Sequence, residues 1–241
     1  MEAQTVPGAL AAALRNDPNG PLLTYYDDAT GERVELSAVT LDNWVAKTAN
    51  MLVDGSGLST GDPVGVVLPA HWQTAAVLLG ALAAGAAVRT GGDGPVDAAF
   101  TSAENLPAAR ALRPAETYLL GFAPLGMPAR DVPPGTADYV VEVRAFGDRF
   151  VPAAPVAPAD TALLYPEPVS HADLAARAAR HGADAGLYPG SRLLIPVDAD
   201  PDPVAWLYAP LVAGASIVVC RNASESRLDA IAGDERVTVR T

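Results

Sequence analysis

VGVVLPAHWQTAAVLLGALAAGAAVR, residues 64–89, is the stretch from which the fold is read. Val64 to Leu68 is a continuous apolar run of strand length, Trp72 to Ala84 has the length and composition of a buried helix, and Ala86 to Arg89 is a second short apolar run. Strand, helix and strand at this spacing form a βαβ unit, whose two strands lie parallel and are covered by the helix. The longest apolar run, Ala75 to Val88, has 14 residues and contains Gly80 and Gly85. It is too short to cross a bilayer core of roughly 30 Å as a helix, so it reads as protein core.

Working outward, a short helix is predicted over Val6 to Arg15. The β-prone runs Leu22 to Tyr26 and Arg33 to Leu36 flank the turn residues Asp28-Ala29-Thr30-Gly31, which predicts a hairpin. Ser37 is placed to cap a helix whose apolar positions Leu41, Trp44, Val45, Thr48, Met51 and Leu52 recur on one face until Asp54-Gly55 stops it. Further strands are expected at Ala98 to Thr101, Thr117 to Phe122 and Tyr139 to Phe146. The prolines of Val151 to Pro158 exclude helix and central strand, because each removes a donor and biases its predecessor to extended backbone. A first α/β lobe is therefore assigned to 1–150, a Pro-rich linker to 151–159 and a second, short α/β lobe to 160–241. That second lobe alternates: strand Thr161 to Tyr165, helix Ser170 to His181, strand Arg192 to Val197, helix Pro203 to Val212, strand Ser216 to Cys220, helix Ser224 to Ala232, strand Arg236 to Arg240.

With 241 residues, half of them apolar and few aromatic, the chain can bury a large layered core without staples. A net charge of -12 makes phosphate backbones and anionic lipid unfavourable partners, so neither nucleic acid nor membrane is expected. Met1 to Leu14 carries Glu2 and no basic cluster, unlike a secretory signal, and a cytoplasmic location is the expectation. Cys220 ends an apolar run and reads as a buried structural thiol.

Three ordered segments carry a family resemblance: Ser37-Ala38-Val39-Thr40-Leu41 opening a helix, Gly61-Asp62-Pro63-Val64 entering a strand that ends Leu68-Pro69, and Leu79 to Ala86. A fourth, Ala209-Pro210-Leu211-Val212-Ala213-Gly214-Ala215, leads into the strand at Ser216. Together they resemble the amino-terminal part of the adenylate-forming superfamily, which includes acyl-CoA synthetases, luciferases and adenylation domains. The resemblance implies a large domain of layered α/β sheets and a reaction in which ATP activates a carboxylic acid as its acyl-adenylate.

The departures from that pattern shape the functional expectation. In the family, the strand matching Thr161 to Tyr165 runs into a Ser/Thr/Gly-rich loop with a lysine that wraps the β- and γ-phosphates. Here Pro166-Glu167-Pro168-Val169 follows, and then Ser170-His171-Ala172-Asp173-Leu174, which resembles the step after the loop. Glycines supply a nest of N–H groups and the lysine supplies charge, so deletion removes both. Lys47 is the single lysine among 16 Lys and Arg residues, and its mid-helix position reads as a solvated surface charge. Asp198, Ala199 and Asp200 stand where acyl-CoA synthetases show an aromatic-His pair. The sequence given also ends before the family's ribose-binding aspartate and hinge.

Smaller constellations have ordinary readings. Thr60-Gly61-Asp62 forms a turn. Ser170, His171 and Asp173 share one helical turn and cannot align as nucleophile, base and orienting acid; Ser170 and Asp173 read as cap and first-turn residues. The glycines near Gly55 to Gly61 and Gly91 to Gly94 lack phosphate-loop spacing, and His71 and His181 lack metal-ligand partners. Asp198, Trp206 and Tyr208 are the ligand-pocket candidates, with no catalytic, cofactor or metal residue assigned. The expected protein is a catalytically degenerate member of the superfamily acting as a binding or interaction module, with weak or absent ATP/Mg binding and no cofactor. It has a possible homodimer or protein partner and a possible small carboxylic acid or acyl ligand. The alternatives are half of a split AMP-forming ligase completed by a partner chain, or a stand-alone small-acid binder.

Overall fold

The computed structural model describes residues 4–197 and 202–241. The chain divides into two compact units: Met1–Leu41 with Pro69–Trp72 and Ala172–Thr241, and Asp42–Leu68 with Gln73–His171. Both are discontinuous in sequence, and the Pro-rich residues 151–159 fall inside the second.

The first unit is built on a sheet of five strands, β1 (Pro21–Asp27), β2 (Glu32–Ser37), β10 (Arg192–Pro196), β11 (Ser216–Arg221) and β12 (Val239–Arg240), in the order β12-β10-β11-β1-β2. The hairpin expected around Asp28 to Gly31 forms as β1–β2, antiparallel. The Asp27 carboxylate accepts from Ala29 N at 2.9 Å, and Gly31 takes the positive φ of 74° that the turn needs. β1 then runs parallel to β11, with Leu23 opposite Ile217 and Tyr26 opposite Cys220. α1 (Val6–Asn16) is capped by Thr5, which accepts from Gly8 N at 3.1 Å. α8 (Glu225–Asp234) is capped in the same way by Ser224, which accepts from Arg227 N at 3.3 Å. The apolar core under α8 joins Tyr26, Leu194, Val218, Cys220, Leu228 and Ile231. Cys220 is the buried thiol expected, and burial pushes its pKa up to about 12.

The second unit carries a sheet of seven strands in the order β7-β6-β5-β3-β4-β8-β9. These are β3 (Pro63–Val67), β4 (Ala87–Arg89), β5 (Val96–Thr101), β6 (Pro114–Leu119), β7 (Ala137–Asp138), β8 (Thr161–Leu163) and β9 (Val169–Ser170). The unit read from residues 64–89 forms as expected: β3 and β4 are parallel, joined by α3 (Trp72–Ala83), and Leu78, Leu79 and Leu82 are buried. α4 (Leu106–Ala111) joins β5 to β6, which are also parallel. α2 (Ala38–Asn50) opens on Ser37, whose Oγ accepts from Thr40 N at 3.2 Å, and continues as a π-helical turn over Met51–Gly55.

Four expectations need correction. Tyr139 to Phe146 is not a strand: Asp138 accepts from Val141 N at 3.0 Å and caps the helix α5 (Tyr139–Val143). A local cap outweighs the β-propensity of Tyr-Val-Val. The strand expected at Arg236 to Arg240 shrinks to Val239–Arg240, because Arg236 takes a left-handed turn at φ 53°. The helix expected over Pro203 to Val212 begins as a π-helical stretch, Val204–Tyr208, before α7 (Ala209–Ala213); Pro210 lacks the N–H that an α-helical turn would use there. Lys47 is not a free surface charge, since its Nζ donates to Phe146 O at 2.7 Å. The remaining helix of the alternation, α6 (His171–Asp184), lies as read, with Asp173 in its first turn.

Candidate functional site

The carboxyl ends of parallel strands are where open α/β sheets present ligand sites. In the second unit, β4 and β8 are parallel neighbours, with Val88 opposite Leu163, and Leu164 N extends the pairing to Val88 O at 2.8 Å. The resemblance implies a phosphate-wrapping loop at the end of β8. Instead the chain turns back at once: β9 pairs antiparallel with β8, Leu163 opposite Val169 and Thr161 opposite Ser170. Only Leu164 to Pro168 lie between the strands, none of them glycine or lysine.

Ser170 closes β9, while His171 is fully buried and Asp173 is exposed, so the three do not assemble a catalytic triad. Neither ring nitrogen of His171 has a hydrogen-bond partner among the described residues, and burial lowers its pKa despite Asp160 nearby.

Beside the hairpin lies a residue that the sequence reading did not single out. Arg89 ends β4 and is partly buried; its Nε is buried without a hydrogen-bond partner among the described residues. The following loop, Gly91 to Gly94, folds against it. A Cβ placed on Gly92 would come within 3.5 Å of Arg89 Nη1 and 2.5 Å of the Tyr165 ring, and one on Gly94 within 3.5 Å of Arg89 Nη2. Gly92 and Gly94 also hold positive φ of 77° and 127°. Glycine is thus required at Gly92 by backbone conformation and by the close approach of the Tyr165 ring, and at Gly94 by backbone conformation alone, since a Cβ there would meet Arg89 at ordinary contact distance. The signal available in the sequence was a charged residue ending an apolar strand directly before a glycine cluster.

In the first unit, Glu32 accepts from Trp72 Nε1 at 3.3 Å and lies 3.6 Å from His71 Nε2, and the Tyr25 and His71 ring centroids are 4.4 Å apart. The His71 and Glu32 side chains are 2% and 6% exposed. Burial lowers the His71 pKa, with Glu32 opposing. Closed off to this degree, the pair anchors the hairpin to the Pro69–Trp72 segment and offers no open acid–base site.

Of the ligand-pocket candidates, Asp198 lies outside the described residues. Trp206 and Tyr208 sit in the π-helical stretch, each 1% exposed, and the Tyr208 hydroxyl has no hydrogen-bond partner among the described residues. A cleft of about 530 Å³ in the same unit is lined instead by Ala9, Ala13, Asn16, Pro189 and Gly214, among others, and neither aromatic residue reaches it. No group of three or more potential metal ligands occurs among the described residues, and no helix there is long and apolar enough to cross a membrane.

The fold has counterparts among solved structures. The anthranilate CoA ligase AuaEII in complex with anthranoyl-AMP superposes with a TM-score of 0.71 at 18% identity, covering 96% of this chain and 48% of that one. An acyl-CoA synthetase of Brucella canis gives 0.73 at 20% identity, covering 98% and 46%. A fatty acyl CoA synthetase of Mycobacterium tuberculosis gives 0.67 at 15%, covering 97% and 48%. The fold is therefore that of the amino-terminal part of the adenylate-forming synthetases, and the chain spans slightly less than half the length of these three. The chain itself belongs to the TIGR03089 family: it is 41% identical over 246 residues to a TIGR03089 family protein of Mycobacterium tuberculosis (strain ATCC 25618 / H37Rv), covering 97% of this chain and 98% of that relative. No protein-family model matches the chain.

Proposed function

We propose that this chain is a catalytically degenerate member of the adenylate-forming superfamily, retained as a binding or interaction module. The observation that carries the reading is the direct β8–β9 pairing, which leaves Leu164 to Pro168 where polyphosphate would need an amide-lined, cationic loop. Losing three charge-assisted hydrogen bonds at about 1.5–3 kcal/mol each weakens affinity by about three to six decades. Glu167 adds like-charge repulsion, and Lys47, the single lysine, is engaged with Phe146 O.

A split ligase is the less favoured reading, because the shortened connection lies in this chain and a partner could not replace it. Co-purification from the native host tests the two together. A module is expected to bring down a partner whose mixture with ATP and carboxylic acids releases no pyrophosphate. Pyrophosphate release from the reconstituted mixture would establish the split enzyme.

A further inference from the structure

We infer that Arg89, with the Gly91 to Gly94 loop and Tyr165, forms a binding site for a compact oxyanion of the carboxylate or phosphate type. The inference rests on the reading of the chain as a binding module and names what one of its sites takes.

The chain has a net charge of -12, so carboxylates are plentiful as partners. Arg33, Arg177, Arg192, Arg227 and Arg240 each have one within 4 Å. Arg89, like several other arginines, has none among the described residues, but it alone there has a buried side-chain nitrogen that lacks a hydrogen-bond partner. A partly buried guanidinium left in this state is costly unless an acceptor meets it, because burial strips its water without replacing the hydrogen bonds.

The surroundings suit an acceptor from outside the chain. Arg89 ends a strand beside the carboxyl end of its parallel neighbour β8, and the loop that follows is glycine at Gly91 and Gly92, where a Cβ would crowd the Tyr165 ring, while Gly92 and Gly94 lie over the guanidinium at ordinary contact distance. Tyr165 is 45% exposed and packs on Gly91 and Gly92, giving the place an aromatic wall open to solvent. A planar guanidinium recognises the paired oxygens of a carboxylate or phosphate better than a lysine would. One arginine and a short glycine loop suffice for a compact anion of low charge, whereas a nucleotide polyphosphate needs the longer cradle that the β8–β9 turn excludes.

The test is a ¹H–¹⁵N NMR titration of the full chain with sodium acetate and, separately, sodium phosphate, each against sodium chloride at matched ionic strength. The expected result is saturable movement of the Gly91, Gly92 and Gly94 amide signals with one or both oxyanions and none with chloride; whichever moves them names the ligand type. Arg89→Met should weaken the binding by about tenfold or more. Asp93→Asn, at an exposed position of the same loop, should tighten it. If Arg89→Met does not fold, the wild-type titration and Asp93→Asn decide. Glycine signals that stay fixed, move equally with chloride, or respond unchanged in a folded Arg89→Met protein would overturn the site. That failure removes the oxyanion site alone, whereas the module reading is tested separately, by ATP·Mg binding and by pyrophosphate release from the reconstituted mixture.

Discussion

Leu163 stands opposite Val169 across an antiparallel pair, one strand away from the parallel pairing of Leu163 with Val88. One residue thus marks the end of the parallel sheet and the start of a tight reversal. Because both strands are held by their own pairing, the connection itself contributes little. Doubling its length with glycine and serine should cost about 0.6 kcal/mol by urea denaturation. Loss of cooperative unfolding in such a variant would show that the turn organises the strands.

In the second unit, the Thr48 hydroxyl meets the Tyr139 hydroxyl at 2.7 Å while donating to Trp44 O at 2.8 Å. Removing either partner has different consequences. Tyr139→Phe leaves Thr48 bonded to Trp44 and should cost about 1 kcal/mol, whereas Thr48→Val strands a fully buried phenol and should cost about 1–3 kcal/mol. Chemical denaturation of the two variants checks the order, and equal losses would contradict the bonding described.

Glu235 gathers Tyr26, Arg33 and Arg192 into one network, in which Arg192 also donates to Thr24 and Ser216. Burial alone would raise the carboxyl pKa, but the bonds from Tyr26, Arg192 and Arg33 outweigh it and hold the value below normal. A depressed folded pKa places its stabilisation above the unfolded value of about 4.3, and it is lost as pH falls through the folded value. Glu235→Ala should cost about 3 kcal/mol at neutral pH by leaving Arg192 unpaired, and should flatten the acid limb below about pH 4. A neutral-pH melting temperature unchanged in that variant would count against the network.

Acid should weaken the fold earlier for a second reason. Burial holds His71 and His171 below the ordinary imidazole value, so the unfolded chain takes up those protons first. Their contribution is complete above about pH 6.5 and declines as pH falls below it. Asp27, Glu32 and Arg221 act on His71, and Asp160 acts on His171, without reversing the direction. The melting temperature is expected to fall between pH 7.5 and 5, with His171→Gln removing part of the loss. A flat profile in the wild type would sink this linkage.

Much of the architecture is written locally. Residues 64–89 declare a βαβ unit through run length and apolar composition, and Asp28 to Gly31 declares a hairpin through turn chemistry. Partner choice is a different matter. β1 pairs with β11 across most of the chain, and no local signal records a contact at that separation. Tyr139-Val140-Val141 reads as strand by propensity, and only the Asp138 cap makes it helix. The lack of a glycine- and lysine-bearing pattern between Tyr165 and Ser170 was legible because it is a property of the sequence alone. Arg89 was not, because a lone arginine in sequence looks the same whether or not a carboxylate meets it in space.

Titration calorimetry with ATP·Mg, using the full chain, tests the central claim most directly. The structure of the β8–β9 turn predicts no saturable heat up to millimolar nucleotide. Saturable binding at micromolar ATP·Mg would contradict it.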